Sequence, residues 1–129
     1  MTASLWTLAL YACALGKTVT APPNAGPAGT WELVRVNAAA VPVTVASGRI
    51  AIKILYEVIF LRADQTFSIF TVEKIGDVSS ATPPETVYNY GYWGDTGGDL
   101  LIGITPVIQL GDTLTIRSNS RGLSVYARR

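Results

Sequence analysis

Residues 50–75, IAIKILYEVIFLRADQTFSIFTVEKI, decide the fold. β-Branched and aromatic residues crowd this stretch, and its apolar positions follow the spacing of strands rather than of a helix. Residues 50–62 are long enough for one bent strand or two short ones. Ala63-Asp64-Gln65-Thr66 reads as a tight turn, and residues 67–75 return as a second strand. Strands joined by so short a turn pair antiparallel.

The same texture continues on both sides. Residues 30–37, TWELVRVN, alternate Trp31, Leu33 and Arg35 against Glu32, Val34 and Val36. Residues 76–84 are polar and contain proline, as a loop does. Residues 86–93 form the next strand, and Asp95-Thr96-Gly97-Gly98 is a hairpin signal. Strands at 99–104 and 106–110 follow, broken by Gly111-Asp112. The last hairpin sets 113–118 against 123–128 across Asn119-Ser120-Arg121-Gly122. Residues 29–129 thus hold about eight short strands. A sheet of that size tends to close, because closure removes edges prone to aggregation. The expectation is an all-β domain: a small antiparallel up-and-down barrel or strongly curled sheet, with a two-sheet sandwich as the competing architecture.

Composition narrows the function classes. A chain of 129 residues fits one domain. Its formal charge of +1 argues against the basic footprint of a nucleic-acid binder. It has no His, so the commonest general base and metal ligand is missing. Its one Cys builds neither an internal disulfide nor a Cys-rich zinc site.

Residues 1–28 differ from the rest. Residues 1–15, MTASLWTLALYACAL, carry no charge and a dense apolar run. That run is short for a transmembrane helix, which needs about 20 apolar residues, and suits the apolar segment of a secretory signal. The alternative is an N-terminal element packed on the domain. Leu10-Tyr11-Ala12-Cys13 resembles the lipobox of bacterial lipoproteins, in which the Cys is lipidated and becomes the new N-terminus. Cys13 is therefore a candidate lipidation site, the alternative being a small buried hydrophobe. Acyl chains there would hold the protein to a membrane. Residues 16–28, rich in Gly and Pro, read as a flexible tether.

The domain itself resembles a known family. Gly29-Thr30-Trp31 matches the G-x-W opening of lipocalins. GTWELVRVN followed by Val41-Pro42-Val43 is similar to the start of small bacterial lipocalin-like domains. Further matching pieces are Asp64-Gln65-Thr66-Phe67, Tyr90-Gly91-Tyr92 and Val125-Tyr126-Ala127-Arg128-Arg129. The resemblance covers residues 29–129, with Gln65 standing where the family's turn has Gly. It implies a lipocalin-like barrel, commonly behind a lipoprotein signal, with binding of a small apolar ligand suspected by analogy.

On a first strand, Trp31 would plug the closed end of a barrel. An Arg of the last strand, Arg128 or Arg129 with Arg117 in reserve, would lie over its indole. Tyr88, Tyr90 and Tyr92 share one face of a strand, because alternate residues point the same way. They read as the lining of a pocket, an exposed aromatic platform or plain core packing, with Tyr56 and Phe70 nearby. Trp31 and the three tyrosines are thus the candidate ligand-binding residues. Against a cavity stands the bulk expected inside: Trp31, Leu33, Phe60, Phe67 and some of the tyrosines favour a filled core.

No catalytic constellation emerges. Asp95-Thr96-Gly97 spells the motif of aspartic proteases, but its flanks fit a hairpin turn better. Asp95 and Asp99 offer too few oxygens for calcium. Without His, no base is in sight to activate a Ser or Thr. The expectation is a non-enzymatic, monomeric protein without metal or cofactor, which binds no nucleic acid. Its address would be the bacterial cell envelope, anchored through Cys13 to the outer membrane, or the exterior if secreted. Its function would be to bind a small apolar ligand. The alternative is a filled-core barrel acting structurally or through protein interaction.

Overall fold

The computed structural model describes residues 26–47, 50–76, 83–96 and 99–129. The apolar leader, Cys13 and the tether up to residue 25 lie outside these residues, as do Gly97 and Gly98.

Ten strands form one antiparallel sheet. They are β1 (Gly29–Val36), β2 (Ala39–Ala40), β3 (Val43–Ser47), β4 (Ile50–Leu61) and β5 (Thr66–Ile75), then β6 (Glu85–Thr96), β7 (Asp99–Ile102), β8 (Thr105–Leu110), β9 (Thr113–Ser118) and β10 (Gly122–Arg128). Neighbours in the sheet follow the chain from β3 to β10, and β10 pairs with β1. β1 also pairs with β4, setting Trp31 against Ile59, and this closes an eight-stranded up-and-down barrel. The expected barrel is therefore the architecture, and the sandwich is not. The hairpin reading of Asp95–Asp99 also holds, since Thr96 pairs with Asp99.

The two smallest strands occupy the seam where the ring closes. The first half of β1 pairs with β4, whereas Arg35 and Val36 pair with β2. The first half of β4 pairs with β3 instead of β1. β1 and β4 thus diverge toward one end of the barrel, and β2 and β3 cover the edges they leave, as exposed edges generally require.

One bulge corrects the alternation expected for the first strand. The register of β1 on β10 slips between Leu33 and Arg35. An extra residue in a strand reverses which face the later side chains take. Trp31 and Leu33 are buried, but the next buried position is Val36, and Arg35 is exposed. A second bulge between Ile54 and Tyr56 bends β4, which is one long strand. Phe60 is a further correction: it sits on the outer face, opposite Ser68, while Ile59 and Leu61 point inward.

The two ends of the barrel differ in chemistry. At the end where β1 starts, Trp31 is fully buried among Leu33, Leu61, Phe67, Ile102 and Leu114. The Trp31 indole N–H donates to the Pro27 carbonyl at 2.9 Å. The Arg128 guanidinium lies over the ring, 4.3 Å from its centroid, a contact generally worth about 0.5–2 kcal/mol. Arg128 also donates to the Ala28 and Gly26 carbonyls at 2.8 Å and to Asp112 at 3.1 Å. The segment before β1 is thereby drawn across this end and seals it. Phe67 lies over Gly91, its cross-strand partner, so closely that a Cβ there would come within 2.9 Å of the ring.

Candidate functional site

A charged side chain inside an eight-stranded barrel needs partners, because burial of an isolated charge is strongly unfavourable. Glu57 is such a residue. It stands in the apolar run of β4, in register with Ile59 and Leu61, and is only 3% exposed. Its carboxylate takes a bidentate pair from Arg121: Nη1 to Oε2 at 2.8 Å and Nη2 to Oε1 at 3.0 Å. The Thr71 hydroxyl, directly across on β5, donates to Oε1 at 2.6 Å. The Tyr126 hydroxyl, from β10, donates to Oε2. Four donors from three further elements converge on one carboxylate, and no buried side-chain polar atom of the described residues lacks a partner.

The turn carrying Arg121 is itself clamped. Asn37 follows β1 with a positive φ of 54°, a conformation Asn tolerates better than most residues. Its side-chain oxygen accepts from the Leu123 N–H at 2.9 Å, and its amide donates to the Arg121 carbonyl at 3.3 Å. The Arg121 N–H donates to the Ser118 hydroxyl at 3.2 Å. Gly122 completes the turn with a φ of 91°, and a Cβ there would collide with the Asn37 carboxamide. Only glycine meets both demands.

The environment sets the charges. Burial raises the Glu57 carboxyl, but the hydrogen bond and charge of Arg121, with the bonds from Thr71 and Tyr126, outweigh it and hold the group below its ordinary 4.5. Burial, then the Glu57 charge and hydrogen bond, push the Tyr126 phenol well above 10. Burial alone would lower Arg121, yet its bond and charge pairing with Glu57 raise it. Glu57 is therefore a poor base and Tyr126 a poor acid near neutrality. The network organises the site rather than moving protons.

This network lies beside a cavity of about 360 Å³ in the half of the barrel away from Trp31. The wall there is incomplete. β7 pairs with β6 only from Trp93 to Thr96, and the Gly103 N–H closes on the Tyr92 carbonyl at 2.9 Å. β8 pairs with β9 only as far as Val107 and Ile116. The β7–β8 hairpin thus stops short of this end. Among the described residues, positions 85–91 of β6 pair with β5 alone, and Arg117 and Ser118 pair with β10 alone. A slot separates the two lips, with Val87 and Asn89 on one and Thr105 and Ser118 on the other. A more open hollow of about 480 Å³ lies at the same end, lined by Val36, Val43 and again Arg121, and one of about 280 Å³ lies beside Pro27. Neither encloses a buried carboxylate.

The expected site residues lie elsewhere. Trp31 belongs to the sealed end and does not line the cavity. Tyr88, Tyr90 and Tyr92 do share one face, but it is the outer one: they are 65%, 81% and 76% exposed. Strand parity explains this, since Val87, Asn89 and Gly91 take the inner positions opposite Thr71, Ile69 and Phe67. Tyr56 and Phe70 are indeed nearby: Phe70 stacks edge-on with Tyr56 at a centroid distance of 6.3 Å and with Tyr88 at 5.1 Å. Cys13 lies outside the described residues. The filled core expected from bulky residues extends over only part of the barrel. Phe60, Tyr88, Tyr90 and Tyr92 face outward, and Thr71, Asn89, Ser118 and Ser124 leave the other half hollow. Glu57, Arg121 and Tyr126 were not singled out by residue type. The available signal was a lone acid at inward parity in an apolar strand.

Among the described residues, no three His, Cys, Asp or Glu side chains gather as a metal site would require. The chain matches no protein-family model, no curated protein and no solved structure.

The depressed Glu57 value makes stability depend on pH. A group with a lowered folded-state value contributes fully above its ordinary value, and the contribution drains away as pH falls through the folded one. The urea midpoint of the native chain should drop as pH falls from neutrality through 4.5 and below, and the Glu57→Gln variant, less stable at neutral pH, should lose less over that span. Equal losses in both proteins would show that Glu57 does not carry the acid sensitivity.

Proposed function

We propose that this protein binds a small, predominantly apolar molecule in the open half of its barrel. The observation that carries this reading is the 360 Å³ cavity, with Phe67, Ile69, Ile102 and Ile116 on its walls and a fully paired ion pair at its side. Apolar walls with a few placed polar groups characterise small-molecule sites, and the volume lies near the lower end of their range of about 300–1,000 Å³. The slot beside β6 supplies a route in. The lipocalin-like opening Gly29-Thr30-Trp31 supports the same reading, with Trp31 acting by sealing the floor rather than by touching the ligand. No enzymatic step is part of it, since the buried acid is saturated with donors. The outer row of Tyr88, Tyr90 and Tyr92 favours a second reading, in which the barrel acts through its surface on a protein partner.

The proposed setting is the bacterial cell envelope, with Cys13 lipidated and the tether holding the barrel off the membrane. It rests on the leader alone.

Native mass spectrometry of the full chain, produced in an envelope and released gently, should show a discrete extra mass that disappears on denaturation. The bare protein mass after exposure to envelope extracts would turn the reading toward the outer tyrosine face. Separately, Cys13→Ser should move the protein from the membrane to the soluble fraction, and an unchanged distribution would remove the anchor.

A further inference from the structure

The polar groups that meet the cavity are unevenly matched. Glu57 has no capacity left: each of its oxygens already accepts two hydrogen bonds. Arg121 does have capacity. A guanidinium carries five N–H donors; two of Arg121's go to Glu57 and the group also bonds the Tyr126 oxygen, which still leaves donors over. Arg121 lines both this cavity and the neighbouring hollow beside Val43, and its side chain is 23% exposed, so part of it remains accessible. A ligand atom arriving here meets charged donors and no free charged acceptor from the buried pair.

The net charge points the same way. Glu57 and Arg121 cancel, so the inner site offers no uncompensated positive charge to an anion. The other acidic side chain on the wall is Glu73, which pairs across the sheet with Glu85 near the open rim. Their charges oppose the passage of a carboxylate or phosphate. A cation, conversely, would have to leave water to sit beside the Arg121 guanidinium, with Glu57 already taken. What suits both constraints is an uncharged ligand that accepts hydrogen bonds.

Building on the cavity reading, we propose that the ligand is an uncharged molecule with an apolar body and a carbonyl-type acceptor, and that Arg121 receives that acceptor. The apolar body lies along Ile69, Ile102 and Ile116, and the carbonyl oxygen takes one of the Arg121 donors that Glu57 leaves unused. Glu57, Thr71 and Tyr126 act as positioning residues, holding the guanidinium in place.

The test uses four probes with one chain length and different ends: 2-octanone, octanoate, octylamine and n-octane. Each is titrated against the purified full chain at neutral pH by ligand-observed NMR. The ketone should bind tightest, by about tenfold over n-octane, a ratio typical of a hydrogen bond to a charged group. Its bound carbonyl carbon should shift downfield. Octanoate or octylamine binding as tightly as the ketone would overturn the assignment. So would equal binding of ketone and n-octane, while leaving the cavity reading intact. Binding of none would remove both. Because Arg121→Met alone leaves Glu57 buried and unpaired, the variant test uses Glu57→Gln with Arg121→Met. That pair should abolish the ketone's advantage while n-octane binding persists. An undiminished advantage would place the acceptor elsewhere.

Discussion

A carboxylate inside a small barrel has to be surrounded by donors, and the donors have to come from whichever strands face it. Glu57 enforces this on four parts of the chain at once: its own strand β4, Thr71 on β5, Tyr126 on β10 and Arg121 in the turn between β9 and β10. Breaking such a buried pair by removing one partner typically costs about 3–5 kcal/mol, because an uncompensated charge remains. The Glu57 network therefore acts as a geometric constraint on the open end, where the β1–β4 ladder has already parted. The Asn37 clamp and Gly122 extend that constraint to the turn that delivers Arg121.

The barrel is built from two unlike halves. The sealed half follows ordinary core logic: Trp31 is enclosed by apolar side chains, covered by Arg128 and crossed by the segment from Gly26. The open half replaces bulk with small polar residues and one organised ion pair. A short β7–β8 hairpin leaves the slot, and inward Asn89, Ser118 and Ser124 leave the space. Hollowness here is a consequence of side-chain size at inward positions and of one hairpin's length. The packed sealed half gives the open half a fixed base.

Much of this was legible in the chain. The strand runs, the tight turns and the barrel closure follow from period-two patterning and short connections. Trp31 with a covering Arg from the last strand was legible too, and Arg128 takes that position. The rest was hidden for specific reasons. Arg35 and Val36 exchange faces because a bulge follows Leu33, and no residue type announces a bulge there. β2 and β3 were missed because Ala39–Ala40 and Val43–Ser47 are short and earn their pairing only where β1 and β4 diverge. The tyrosine row was correctly placed on one face, but which face depends on the register with β5. Glu57 and Arg121 are 64 residues apart, so their pairing is a product of topology alone.

The coupling between Glu57 and Arg121 holds the open end together, and a double-mutant cycle measures it directly. Denaturant unfolding of the native chain, Glu57→Gln, Arg121→Met and the double variant should show each single change losing about 3–5 kcal/mol. The double variant should lose clearly less than the two losses combined, by about 1 kcal/mol or more. Losses that simply add, within about 0.5 kcal/mol, would contradict it. In that case the open end would be held by something other than the buried pair.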